Sequence, residues 1–466
     1  MKKLFVWLLI TTFVVSMAFM GIGCKKATET TTAETTTTAE AATTAAATET
    51  TAPATEKATG EPKTIVYWSL WNEQEPAAIV INKWIEEYKK VKPEITIKVV
   101  YVGREVMTKV MAARSGGEIV DLVDTENFSL KGSLVKEGLS LVMDKALDAP
   151  SYKGNSSWRD SFLAGTLKQY AADDGKVSII PYDLITNGFI YNKKLWRDKG
   201  WTVPKTWDEF IALCETIKTT SDIASITQDA GVDFYNDMWN YQIMEKLVGP
   251  GRILAAAKDK TGNSWEDPAF KKAIEMEREL FDKGYFVKGC DGFTWPAGQL
   301  LLASGEAAME LCGSWLPNEL KSQVSNDFEW GTFPFPEIAG GVGKINDMES
   351  YLIGWAAFND TKVGPEIVDF LKFCTTIENQ NIFVDESWNM STILGTKIPP
   401  AIQGLGEALL DSKALFSPHD GIPEELPDYH KNIYLKNHNL AFLGKITPDG
   451  YIKKMKEETI AYWKSK

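Results

Sequence analysis

Residues 63–102 read KTIVYWSLWNEQEPAAIVINKWIEEYKKVKPEITIKVVYV. Residues 63–68 and 94–102 are dense in β-branched and aromatic side chains and predict two strands. Between them Ile79, Ile81, Trp84, Ile85 and Tyr88 recur as the apolar stripe of a helix. A further helix then leads to EIVDLVDT at 118–125, a third strand. Strand, helix and strand in this order predict an α/β domain with a largely parallel sheet. Such sheets take ligands in the crevice beyond the carboxyl ends of their strands. Trp71, Asn72 and Glu73 stand just past the first such end, and Thr125, Glu126 and Asn127 past the third. Trp68 and Trp71 are three residues apart, so the two rings cannot share the strand's buried face.

The bulk of the chain bounds the function. At 466 residues it has room for more than one substantial core. Its formal net charge of −13 opposes nucleic acid and anionic membrane surfaces, whose phosphates would repel it. Tryptophan is abundant, sixteen residues, which points to a binding role for some of them. The N-terminus is a processing segment: Lys2 and Lys3, an apolar run, then Gly21-Ile22-Gly23-Cys24. Residues 1–24 therefore predict a signal peptide with a lipobox-like end, Cys24 being the lipidated residue; an uncleaved membrane anchor is the alternative. Residues 25–62 are almost entirely Thr, Ala and Glu and predict a disordered tether. A coil of that length spans roughly 35 Å.

A second unit opens at VSIIPYDLITNGFIYNKKLW, 177–196. In KTWDEFIALCETIK (205–218), Thr206 and Glu209 have the spacing of a capping box. Helical patterns follow at 236–249 and 268–284, then LLASGEAAMELCGSWL at 301–316. A glycine-rich turn occupies 337–344 and a strand 351–358.

The ordered set IVYWSLWNEQEP, PYDLITNGFIYNKKL, Pro204-Lys205-TWDEF, GEAAMELCGSW and SYLIGWAAFND resembles the extracellular solute-binding proteins of bacterial ABC importers. The closest likeness is to their large carbohydrate-binding group, in its lipoprotein form. That resemblance implies a two-lobed α/β fold with a ligand cleft between the lobes, closing by a hinge motion. It places the first crossing at 181–186, the second between 334 and 350, and a third near 383–388. The N-terminal lobe would then be 63–183 with 346–383, and the C-terminal lobe 184–345 with 384–466. It also assigns Trp68 to the core, and Trp71, Asn72 and Glu73 to ligand contact. Trp315 matches a position that stacks on sugar.

A pyranose offers C–H patches on its faces and hydroxyls at its edge. Flat rings cover the faces, and carboxylates and amides hold the edge. The residues able to do this are Trp71, Asn72, Glu73, Glu126, Asn127, Tyr182, Asp183, Tyr235, Asn236, Trp239 and Trp315, with Trp295 and Trp388 on further loops. Trp84, Trp196, Trp207, Trp355 and Trp463 sit at core spacing. The expectation is a non-catalytic, monomeric receptor without cofactor, outside the cytoplasm and lipid-anchored. It would deliver a carbohydrate, an oligosaccharide, to separate ABC permease subunits. A non-sugar solute such as a polyamine, or a secreted glycoside hydrolase using a carboxylate pair from Glu73, Glu126 and Asp183, are the alternatives. No nucleophile elbow or P-loop is present. His419, His430 and His438 match no common zinc spacing, so no metal is expected. Cys214 and Cys374 are expected as core thiols, and Cys290 with Cys312 as a possible disulfide.

Overall fold

The computed structural model describes residues 61–466, residue 413 excepted. The expected signal peptide, Cys24 and all of the expected tether but its last two residues lie outside the described residues. Among the described residues no helix is long and apolar enough to cross a membrane.

Among the described residues twelve strands form two main sheets and a short ribbon. They are β1 (Lys63–Ser69), β2 (Ile95–Tyr101), β3 (Leu122–Glu126), β4 (Ile179–Ile185), β5 (Asn187–Asn192) and β6 (Ala224–Thr227). They continue with β7 (Ala307–Gly313), β8 (Trp330–Phe333), β9 (Asp347–Glu349), β10 (Tyr351–Ala357), β11 (Met390–Ser391) and β12 (Ala414–Phe416). The first sheet has the order β11-β4-β10-β3-β1-β2 and the second β6-β7-β5-β8. Only β1–β2, β1–β3 and β6–β7 pair in parallel within them. The largely parallel sheet expected from the sequence is thus corrected to a mixed one: β10 and β11 return antiparallel from far along the chain.

Each sheet carries its own apolar core. One gathers Ile65, Trp84, Val123, Tyr182, Trp355 and Phe370; the other Phe189, Trp196, Phe210, Trp239, Trp265 and Phe442. These are the two α/β lobes. Trp84, Trp196, Trp207 and Trp355 are buried as expected, and Trp463 is half-buried with its indole donating to the Ala257 carbonyl at 2.8 Å. The helix Pro76–Val91 turns a slightly different face inward than the apolar stripe suggests. Val80 is buried and Ile79 exposed, because Ala77, Ala78, Ile81, Trp84 and Tyr88 define the contact line. Thr206 and Glu209 form the capping box reciprocally at the start of Trp207–Thr220.

The chain passes between lobes at Thr186, which joins β4 of one sheet to β5 of the other. It returns through β9 and leaves again through β12, and these two strands pair in parallel as a ribbon. The third crossing therefore falls at 414–416, not near 383–388. After the helix Ile377–Ser387, Trp388 adopts a left-handed conformation, φ 60°, and turns the chain back. Met390 and Ser391 then extend β4, and Ile393, Ile402, Leu405 and Leu409 join the first core. Residues 384 to about 410 thus belong with the N-terminal lobe, which corrects the expected boundary. All four described cysteines are free and buried, so Cys290 and Cys312 do not form the disulfide.

Candidate functional site

The loop after β1 is held from beneath. The Trp71 indole nitrogen donates to the Tyr182 hydroxyl at 2.7 Å, and that hydroxyl donates to Asp124 Oδ2 at 2.5 Å. Tyr182 itself stacks on Trp355 with centroids 4.0 Å apart. Burial pushes Asp124 up to about 6, opposed by the Tyr182 hydrogen bond among others. Arg104, just past the end of β2, lies 5.1 Å from the Trp71 ring centroid. Its guanidinium donates to the Leu70 carbonyl and to Glu75, both at 3.0 Å. Trp71 is 9% exposed, whereas Asn72 and Glu73 are open to solvent, Asn72 bonded to Glu75 at 2.5 Å.

At the end of β3, Glu126 is half-buried and accepts from Thr125 at 2.5 Å. Asn127 is buried, and its Oδ1 has no protein partner. Gly354 permits this arrangement, since a Cβ there would come within 2.5 Å of that oxygen. On β4, Asp183 accepts from the Asn389 amide at 2.9 Å while its other oxygen is unpartnered. Burial pushes the Asp183 carboxyl up to about 8 against that hydrogen bond.

The second lobe supplies Trp315. Its ring folds back over Gly313, where any Cβ would clash at 1.9 Å, so only glycine admits this turn. Trp315 packs against the apolar cores of both lobes. Tyr351 meets it edge-on at 6.0 Å, and Phe234 and Tyr235 approach at 6.4 and 6.5 Å. Trp295, 53% exposed, donates to Glu319 at 3.3 Å, and Gln299 donates to the same oxygen at 3.1 Å. Burial raises the Glu319 carboxyl, opposed by its hydrogen bonds from Trp295 and Gln299 and by the charge of Arg104. Lys321 lies 5.5 Å from the ring centroid of Trp388, a second link between lobes. Buried Glu310, next to Asp229 and Glu319, has both oxygens without a protein partner.

The structure brings Trp315 together with Tyr235, sets Trp388 beside Lys321 of the other lobe, and pairs Trp295 with Glu319 and Trp71 with Arg104. Three further expected residues, Trp239, Asn236 and Tyr182, pack inside a lobe. Trp239 is fully buried among Phe189, Phe210, Phe286 and Phe335, on the helix Asp233–Val248, which is buried all round from Tyr235 to Leu247. Asn236 is buried and bonds the Ala230 carbonyl and Asn439. Tyr182 is fully buried and orients Trp71 from behind. Sequence reasoning missed Arg104, Gln299, Glu319, Tyr351 and Asn389. Arg104 follows a strand's carboxyl end, the same signal that singled out Trp71 and Glu126. Separately, the three histidines meet around Asp237 inside the second lobe, which their spacing does not foretell.

Chemically the cleft offers aromatic surface and an excess of acceptors. Asn127 Oδ1, Asp183 Oδ1, Asn389 Oδ1, Gln299 Oε1 and Glu310 all lack a protein donor. Buried acceptors of this kind are costly unless something donates to them.

Three proteins place the chain among known ones. It is 24% identical over 47% of its length to "Diacetylchitobiose binding protein NgcE" of Streptomyces coelicolor, covering 46% of that protein. It is 22% identical over 73% of its length to "Multiple sugar-binding protein" of Streptococcus mutans, covering 78% of it. The chain thus spans less than half of the first relative's length, 46%. The solved structure "Chitin oligosaccharide binding protein" superposes with a TM-score of 0.70 at 23% identity, over 86% of this chain and 98% of that one. The family model "Bacterial extracellular solute-binding protein" matches residues 70–381, from the loop that carries Trp71 through most of the first lobe's returning segment, and the chain belongs to that family.

Proposed function

We propose that this chain is an extracytoplasmic receptor for an oligosaccharide, which it delivers to a separate ABC permease by closing its two lobes around the sugar. The observation that carries this reading is Trp315, half-buried between the lobes and flanked by Tyr351, Phe234 and Tyr235. A ring in that position covers a pyranose face from one lobe. The printed names of the relatives, diacetylchitobiose-binding, multiple sugar-binding and chitin oligosaccharide-binding, support the choice of ligand class. Lipid attachment at Cys24 would keep a monomeric receptor at the membrane, beside its permease.

The chain hydrolyses nothing in this account. Glu73 is exposed on its loop, and Asp183 is wholly buried against Asn389, so neither is set as one half of a carboxylate pair flanking a glycosidic bond. One observation favours a second reading: the partnerless carboxylate of Glu310 beside Asp229 and Glu319 would also suit a polyamine.

Titration of the full chain with mono- and oligosaccharides, spermidine and a peptide mixture, read by tryptophan fluorescence and thermal shift, separates these readings. The expected result is a saturable response to one oligosaccharide, recovered intact, chito-oligosaccharides being the first to try. At a hundredfold excess over Kd the added stability is about 2.7 kcal/mol. Shortened products would make it a hydrolase, and a response to spermidine alone would sink the carbohydrate reading.

A further inference from the structure

His419, His430 and His438 are all the histidines of the chain, and the fold brings them to one place in the second lobe. Asp237, on the helix Asp233–Val248, is fully buried at the centre. Its Oδ2 lies 2.5 Å from His419 Nδ1, and its Oδ1 accepts from the Tyr434 hydroxyl at 2.6 Å. The His419 and His430 rings are 4.7 Å apart. Asp237, His419 and His430 each present a ligand atom within 4.8 Å of the others.

A plain buried ion-pair network would account for part of this. His438 is such a case, its Nε2 paired with Glu277 at 3.0 Å. His419 and His430 are different: the Nε2 atom of each is buried and has no protein partner. His419 is itself 1% exposed, so its free nitrogen is an unsatisfied group inside the lobe. The backbone is also bent to present it. His419 and Asp420 both sit in the left-handed region, φ 49° and 54°, which residues with a Cβ adopt at a cost.

We propose that Asp237, His419 and His430 form a binding site for a divalent transition cation. Two imidazoles and one carboxylate are the donor set of zinc sites that leave a fourth position to water, and imidazole prefers zinc and its neighbours to calcium or magnesium. The cation would meet the lone pairs that the protein leaves unpaired, and the carboxylate would offset its charge. Asp420, the next residue to His419, lines a cavity of about 270 Å³ together with Gly251, Leu254 and Glu424, close to the three ligand residues though lined by none of them.

The site has a structural consequence for the cleft. His419 lies three residues past the end of β12, so the cation ties the segment beyond the last crossing to the helix whose first turn bears Tyr235. Phe234 bridges the two places, 4.9 Å from the His419 ring and 6.4 Å from Trp315. Metal loading therefore stiffens the second lobe's cleft wall. This holds whatever solute the cleft takes, so the test is independent of the sugar reading.

The full chain is stripped with a chelator, reloaded with Zn²⁺ or Co²⁺, desalted and analysed for metal. The expected result is about one equivalent retained, a raised melting temperature and the visible bands of four-coordinate Co²⁺ without thiolate charge transfer. His430→Gln and His419→Gln should each lose the retained metal and the thermal shift while keeping the wild-type circular dichroism. Should His419→Gln fail to fold, the Co²⁺ spectrum of the unaltered chain together with His430→Gln decides the matter. No retained metal in the wild type, thiolate bands, or equal retention by folded His430→Gln would each overturn the site.

Discussion

Trp71 and Tyr182 are adjacent in space and opposite in role, and the difference is one of burial. Tyr182 is sealed between Trp355 and Trp84, with its hydroxyl shared by Trp71 and Asp124. Tyr182→Phe leaves a buried indole N–H without its acceptor and takes one donor from Asp124, which keeps the Leu70 amide at 3.2 Å. It should cost about 1–3 kcal/mol in denaturant unfolding. It should also raise the Asp124 pKa further, since that hydrogen bond now opposes burial. Trp315 is the reverse case. Trp315→Ala should leave the fold intact and weaken oligosaccharide binding by about 2 kcal/mol, roughly thirtyfold, as calorimetry would measure. Two carboxyls set a pH dependence. Burial pushes Asp183 and Glu349 each up to about 8, from ordinary values of 3.8 and 4.5. Both bind their proton more tightly folded than unfolded. Their contribution to stability is complete below the ordinary values and is lost as pH rises through about 8. Melting temperature without ligand should therefore decline on going from about pH 5 to about pH 8, and Asp183→Asn should flatten part of that slope. An unchanged slope in the variant would contradict the assignment. Residue types in the cleft were legible in the sequence because aromatic and acidic side chains past strand ends have few other reasons to be there. Which of them packing would bury was not: Tyr235, Asn236 and Trp239 share one helix and all three are buried.

Among elements, the strands at 63–69 and 95–101 and the capped helix Trp207–Thr220 were legible because local pattern and turn chemistry specify them. The two-residue strand β11 was not, since its place in the first sheet rests on pairing with β4, some 200 residues earlier in the chain. That single pairing moved the lobe boundary past residue 383. Between the lobes, the helix Gln403–Leu410 belongs to the first core yet touches β8 of the second sheet. The Leu405 amide donates to the Thr332 hydroxyl at 3.0 Å, and a Cβ at Gly404 would stand 2.1 Å from the Thr332 carbonyl oxygen. Gly404→Ala must push this helix off the strand. It should lower stability by about 1–3 kcal/mol and shift the relation of the lobes, visible as altered solute affinity with an unaltered cleft. A neutral Gly404→Ala would show that the helix is not held there. The ribbon of β9 and β12 is braced on the other side by Lys246, whose ammonium donates to the carbonyls of Lys344 and Asp347 at 2.5 and 2.8 Å.

For the whole molecule, two separately cored lobes joined by a few short crossings are built to move as bodies. The order of motifs along the chain made this architecture legible, since strand-ended loops, the PYDLIT crossing and the GSW turn recur in a set sequence. Whether the cleft takes one sugar or another was not legible, because acceptors and rings state a ligand class and no more. The gathering of three histidines around Asp237 was likewise hidden, being a product of tertiary packing between helices far apart in sequence. A ligand can shift the lobes toward closure only by making contacts in the closed form that it lacks in the open one. Small-angle X-ray scattering of the full chain, alone and with the oligosaccharide that saturates its fluorescence response, measures that shift directly. The account predicts a smaller radius of gyration and maximum dimension with sugar bound, and loss of the compaction in Trp315→Ala at equal sugar concentration. Saturable binding with no change in either dimension would contradict closure of the lobes as the mechanism.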